Sequence, residues 1–256
     1  MAKTKIDKEV IKEHMEVDEF EVYIEKIIKW ITNNVNTIII VAIIVILTVL
    51  GVTYFRSQQE SKLVEAQSIL DDTIRYYNSL ITENDNKKAE ELYTQINENS
   101  TSLADAFKGS IQASEALFLK GKALLYQNKF DEAIKIFDEF IVLSKQPEDK
   151  ARGYLAKGYA LENKAFVNDD KIIYEESIKN YNQAAELGKN SYIKLEALYN
   201  IGKIYKNLGN KDLALQTFEK ITMSKLALDK KNWGASEGSS GFVAKAEEER
   251  KELAGK

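Results

Sequence analysis

From Thr37 to Phe55 the chain carries no charge and is mostly Ile, Val and Leu, whereas on either side apolar residues recur every three or four positions with charges between them. Nineteen residues coiled at about 1.5 Å each extend about 28 Å, the thickness of a hydrocarbon core, so residues 37–55 are expected to form a transmembrane helix. Trp30 ahead of the run and Tyr54 and Phe55 at its end stand where amphipathic aromatics favour the headgroup level. Lys29 and Arg56 bound it. A soluble helix of this composition would have to be covered on every side over five turns. A cleaved signal peptide would begin earlier, be shorter and end in a small-x-small site, which "GVTYFRSQQES" lacks. With no ionisable group inside and Gly51 as the one glycine, the segment reads as an anchor rather than an ion pathway or a GxxxG dimer face. Lys26 and Lys29 on one side stand against Arg56, Lys62 and Arg75 on the other, so charge counting does not choose an orientation.

Residues 1–36 place Val10, Ile11, Val17, Phe20, Ile24, Ile27, Ile28 and Ile31 at roughly helical intervals. Two readings fit: a short amphipathic helix that docks on a partner or the membrane surface, or a loosely structured tail leading into the span. Eight acids against six lysines do not favour adhesion to anionic lipid.

Behind the span the apolar period becomes a repeat. "GKALLYQNKFDEAIKIF" (121–137) and "GKIYKNLGNKDLALQTF" (202–218) share a glycine, an alanine twelve positions on and an aromatic four after that. Where two helices of a hairpin cross, small residues let the backbones approach, and a period of about 34 residues written this way denotes stacked helical hairpins. Gly121 and Ala133 are the small pair of the first copy, with Phe137 and Phe140 expected to face the next repeat; Gly202, Ala214 and Phe218 repeat the pattern. A middle copy has Gly158, Ser177, Tyr181 and Ala184, with the serine nineteen positions after the glycine. The seven extra residues lengthen the helices or bulge the turn. The expected fold is all-α: a transmembrane helix, then a tetratricopeptide-like repeat domain over 57–228. Within it lie a degenerate hairpin at 57–99 and repeats at 101–145, 150–188 and 192–225. Ser102 is the expected N-cap at the start of the first of these. A flexible linker at 229–241, containing "GASEGSSG", and a capping helix at 242–256 complete the chain.

Spacing along the first helix of each repeat projects Phe118, Lys122 and Leu125, then Arg152, Leu155 and Tyr159, then Tyr199, Lys203 and Lys206 into a shared concave groove. Apolar and aromatic groups interleaved with cations suit an extended polypeptide with exposed apolar side chains and some negative charge. Competing chemistries lose their usual groups. The 256 residues include no cysteine and one histidine, His14, so no catalytic, metal or cofactor site is expected. A net charge of −4 without a basic field excludes nucleic acid as the expected partner. One proline and 12 glycines favour long helices. "NDDKIIYEE" clusters Asp169, Asp170, Glu175 and Glu176, but without the glycine and alternating ligands of a calcium loop it reads as a solvated turn. "NST" at Asn99 matches a glycosylation sequon that also arises by chance.

An acidic segment ending in "EKIIKWITNN", one span and then these repeats resemble the bacterial single-span, membrane-anchored tetratricopeptide-repeat family typified by the ancillary subunit of the SecYEG translocon. That resemblance implies a non-enzymatic protein of the inner membrane with residues 1–36 in the cytoplasm and the repeats in the periplasm. Its implied partners are translocon subunits, periplasmic chaperones or exported proteins, with a homo-oligomer also open.

Overall fold

The computed structural model describes residues 6–189, 192–224 and 237–255. Among them are ten helices and no strand. They are α1 (Ile6–Asn33), α2 (Val35–Leu80), α3 (Asn86–Ala106), α4 (Ile111–Tyr126), α5 (Phe130–Leu143), α6 (Pro147–Asn168), α7 (Lys171–Leu187), α8 (Tyr192–Asn207), α9 (Lys211–Thr222) and α10 (Glu237–Ala254). The chain divides into two units, Met1–Leu63 and Val64–Lys256.

In the first unit α1 ends at Asn33; the side-chain amide of Asn34 donates to the Trp30 carbonyl at 2.8 Å, and α2 begins at the next residue. The helical reading of residues 1–36 therefore describes them from Ile6 onward. The apolar side chains of α2 between Ile38 and Phe55 are exposed. Thr48 and Thr53 donate their hydroxyls to the carbonyls of Ile44 and Val49, at 2.8 and 2.9 Å, so the polar groups of the run are satisfied within the helix itself. This helix is long and apolar enough to cross a membrane. It does not stop near Phe55: no glycine or proline interrupts residues 52–80, and α2 continues as a helix to Leu80.

In the second unit the remainder of α2 packs with α3 through Leu70, Leu80, Ile96 and Leu103, and α4 and α5, α6 and α7, and α8 and α9 form the successive hairpins, closed by α10. The core is a chain of small clusters, each shared by neighbouring hairpins. Ala66 and Leu70 meet Leu103, Ala113 and Ala116; Leu124, Ala133 and Phe137 meet Ala156 and Ala160. Further along, Tyr181 and Ala184 meet Ile193, Ala197 and Ile201, and Phe218 and Ile221 meet Val243 and Ala246. The turns inside the last three hairpins share one solution. Asn128, Asp169 and Gly209 take positive φ (60, 50 and 77°), and the next amide reaches back to the carbonyl of Leu124, Ala165 or Tyr205 at 2.8–3.1 Å.

The glycines mark the helix crossings in a way that differs from the expected pairing. A Cβ on Gly121 would lie 2.6 Å from Phe137, on Gly158 2.5 Å from Tyr181 and on Gly202 2.5 Å from Phe218. The close partner of each glycine is thus the aromatic of its own hairpin, so Phe137 packs across its own repeat as well as against Ala156 and Ala160 of the next. Phe140 does face the next repeat, against Gly153. The small residue on the second helix is also engaged where it is polar, since the Ser177 hydroxyl donates to the Gly158 carbonyl at 2.9 Å.

Three boundaries differ from the sequence expectation. Ser102 lies inside α3 rather than capping a new helix; the break comes at residues 107–110, with Gly109 at φ +78° and Ser110 accepting from the Ala113 amide at 3.1 Å. Asn99 is likewise within α3. The closing helix begins at Glu237, so residues 237–241 of the expected linker are helical, while 229–236 lie outside the described residues. Gly238, Ser239 and Ser240 fall in its first turn, and Phe242 and Val243 beyond them pack on the last hairpin. The seven extra residues of the middle repeat go into helix. α6 runs five residues further past its glycine than α4 does, α7 starts three residues further ahead of its small residue than α5 does, and the turn is one residue shorter.

Candidate functional site

Phe118 fixes one wall of a cleft on the first helices of the hairpins, because its ring is held by Phe140 at 4.9 Å and Phe137 at 5.8 Å between centroids. The cleft, about 330 Å³, is lined by Phe118, Lys122 and Leu125 from α4, Arg152, Leu155, Ala156 and Tyr159 from α6, and Tyr192 and Glu196 from α8. Six of the nine residues expected in the groove therefore come together. Leu155 is buried at its floor, and Tyr192 is 46% exposed at its rim.

Polar contacts hold these walls in place. Arg152 presents its guanidinium fork to Glu115 at 2.7 and 3.0 Å, reaches Asp149 at 3.4 Å and lies over the Phe118 ring at 4.6 Å. The hydrogen bonding it donates to Glu115 outweighs burial and holds the Arg152 pKa above its ordinary value. The Tyr159 hydroxyl donates to Glu196 at 2.6 Å, and burial, followed by the charge of Glu196, pushes its pKa well above 10. Lys122 places its ammonium over the Tyr77 ring at 4.6 Å. Neither Lys122 nor Glu196 forms an ion pair among the described residues.

Tyr199, Lys203 and Lys206 do not join the cleft. Tyr199 packs between Phe218 and Phe242, at 5.9 and 5.7 Å. Lys206 binds Glu249 and Glu252 of α10 at 2.7 and 2.8 Å, and Lys203 lies 3.5 Å from Glu162. Placing Tyr199, Lys203 and Lys206 in the groove gives α8 the same positions as α4, which assumes that the groove returns to its starting level across the stack. It instead steps toward the start of each successive first helix: counted from the glycine, α4 contributes residues three before to four after, α6 six before to one after, and α8 ten and six before. Tyr192 and Glu196 were missed for that reason, and the rotation of each repeat on the last is the physical cue that would have found them. Glu115 and Glu196 occupy the same position relative to their glycines, which places an acid beside a groove residue of α6 at both ends.

Among the described residues no cluster of His, Cys, Asp or Glu could hold a metal, and "NDDKIIYEE" is the two-residue turn Asp169–Asp170 and the start of α7, which Asp170 caps by accepting from the Ile172 and Ile173 amides at 2.8 and 3.4 Å. What the cleft offers is a fixed apolar floor with aromatic walls and charge at its ends, which is the chemistry of recognition.

A family model described as a tetratricopeptide repeat-like domain matches residues 28–157, and one described as a tetratricopeptide repeat matches residues 195–225. No curated protein matches the chain.

Proposed function

Because the chain belongs to the tetratricopeptide repeat-like family, whose arrays bind polypeptides, we propose that it is a membrane-tethered, non-enzymatic protein that binds newly exported polypeptides or their chaperones beside the translocon of a bacterial inner membrane. In this reading the N-terminal segment is cytoplasmic and the repeats are periplasmic. The observation that carries it is the cleft across α4, α6 and α8, whose apolar and aromatic lining stands between walls tied by the Arg152–Glu115 and Tyr159–Glu196 hydrogen bonds. The apolar stretch of α2 supplies the tether. A tether confines the groove to one surface and raises its effective concentration there, so weak affinity per encounter suffices.

Photo-crosslinking from positions 118 and 192 of the full chain in its membrane tests the reading. Adducts with polypeptide in transit are the expected result, and adducts with lipid alone would overturn it. Protease treatment of intact spheroplasts carrying an epitope at the C-terminus is expected to digest the repeats from outside; protection would place them in the cytoplasm and remove the export role.

A second reading, a structural scaffold that organises an envelope or division complex, is favoured by a different observation. At the end of the lengthened middle hairpin Phe166, Val167 and Ile172 are 68–76% exposed. Such an apolar tip suits a stable contact with one fixed partner. Stoichiometric co-purification with that partner, lost in Phe166→Ser and without binding of unfolded chains, would select this reading.

A further inference from the structure

The charges of the cleft are distributed by a rule that its apolar lining does not require. Arg152, in the middle, is paired with Glu115 at 2.7 Å and more loosely with Asp149 at 3.4 Å, so it offers no free positive charge. The cation at the α4 end, Lys122, has an aromatic ring beneath it and no carboxylate paired with it among the described residues. The acid at the α8 end, Glu196, accepts one neutral hydrogen bond from Tyr159 and has no cation paired with it among the described residues. Between them lie Leu155, Ala156 and the ring of Tyr159. The site is therefore polarised: uncompensated positive charge on one wall, uncompensated negative charge on the other, and an apolar floor between.

Resting on the reading of the cleft as a polypeptide groove, we propose that it selects an extended segment of mixed polarity: an acidic side chain at the Lys122 end, a stretch of apolar or aromatic residues over α6, and a basic side chain at the Glu196 end. The charges also fix the direction in which the segment lies. Packed helix axes stand about 8–10 Å apart, so α4 and α8 are separated by roughly 16–20 Å, which an extended chain crosses in about five or six residues. The proposed ligand thus carries its two charges with about five apolar residues between them. Complementary ends of this kind govern orientation and partner choice more than total affinity.

The test uses the full chain in nanodiscs and three fluorescent peptides that share the core Leu-Phe-Ala-Phe-Leu. One has Asp before the core and Lys after it, one has Asp at both ends and one has Lys at both ends. The wild-type chain is expected to bind the mixed peptide about three- to tenfold more tightly than either of the others. Lys122→Glu is expected to shift the preference to the peptide with two lysines, Glu196→Lys to the peptide with two aspartates, and Lys122→Arg to keep the wild-type order. Circular dichroism confirms that each variant folds. Equal binding of all three peptides, unchanged by the substitutions, would overturn the polarity proposal and leave the groove reading intact. Binding of none would overturn both. Self-association of the chain that Lys122→Glu abolishes would assign the cleft to a second copy and overturn the proposal as well.

Discussion

The ring of Phe137 lies so close to Gly121 that its Cε1 stands 2.6 Å from the place a Cβ would occupy, and Phe218 and Tyr181 stand at 2.5 Å from the same place on Gly202 and Gly158. Three hairpins thus repeat one contact, an aromatic ring laid on the bare backbone of the opposite helix. Here the glycine provides the surface on which the ring rests.

Alanine at Gly121 or Gly202 is expected to destabilise the stack by about 1–3 kcal/mol, because the ring must move, even though alanine favours helix by about 1 kcal/mol over glycine. Urea midpoints measure this. Phe137→Leu should recover part of the loss in Gly121→Ala; a midpoint unchanged by Gly121→Ala would refute the contact.

Gly241 gives the opposite sign. It lies within α10 and a Cβ there would meet nothing within 4 Å, so Gly241→Ala is expected to stabilise the closing helix by about 0.5–1 kcal/mol. A lower midpoint would show that this part of α10 is not helical in solution.

Arg152 and Glu115 are 27% and 30% exposed and joined by two hydrogen bonds. Arg152→Met and Glu115→Gln should each cost about 1 kcal/mol, with a coupling of about 0.5–1 kcal/mol in the double-mutant cycle. Strict additivity would mean that the pair does not hold α4 to α6.

Tyr181 is wholly buried and donates to Glu162 at 2.6 Å. Burial, and after it the charge of Glu162, raises its pKa well above 10. The unfolded chain releases this proton near pH 10 while the folded chain retains it, so the associated stability is complete below that pH and declines above it. Between pH 10 and 11 the wild type should lose about 1 kcal/mol more than Tyr181→Phe, the slope approaching about 1.4 kcal/mol per pH unit above that. Parallel profiles for the two proteins would contradict this assignment.

Lys206 grips Glu249 and Glu252, and the hydrogen bonds it donates to these carboxylates hold its pKa above the ordinary value. Lys206→Met is expected to speed amide exchange in α10 about threefold, with a smaller difference at high salt as screening weakens the native pairs. Exchange that does not change would assign the docking of α10 to Phe242 and Val243 alone.

The crossings were legible because sixteen residues separate Gly121 from Phe137 and Gly202 from Phe218, and the middle copy differs by the seven residues inserted. The break near residue 100 was not legible. "NENSTS" has the polarity of a loop, yet it continues α3 because Ser100, buried, donates to the carbonyls of Ile96 and Ala116 at 2.7 and 3.0 Å and Thr101 to Asn97 at 2.9 Å. Nothing local in the chain announces such partners. The cleft was half legible for a related reason. Spacing along one helix gives the side that faces the groove, but the stagger between helices is a property of the whole stack, and it brings in Tyr192 and Glu196 in place of Tyr199, Lys203 and Lys206.

The middle hairpin, finally, grows only beyond the point where its helices cross. Gly158 keeps its ring and the core clusters keep their members, whatever happens between Phe166 and Lys171. Length at that end is mechanically decoupled from assembly, in the way that the free end of a cantilever can be trimmed or extended without touching its support. A chain built so can change what it displays at its edge without refolding its interior, which gives such an array room to acquire new contacts while the old architecture stands.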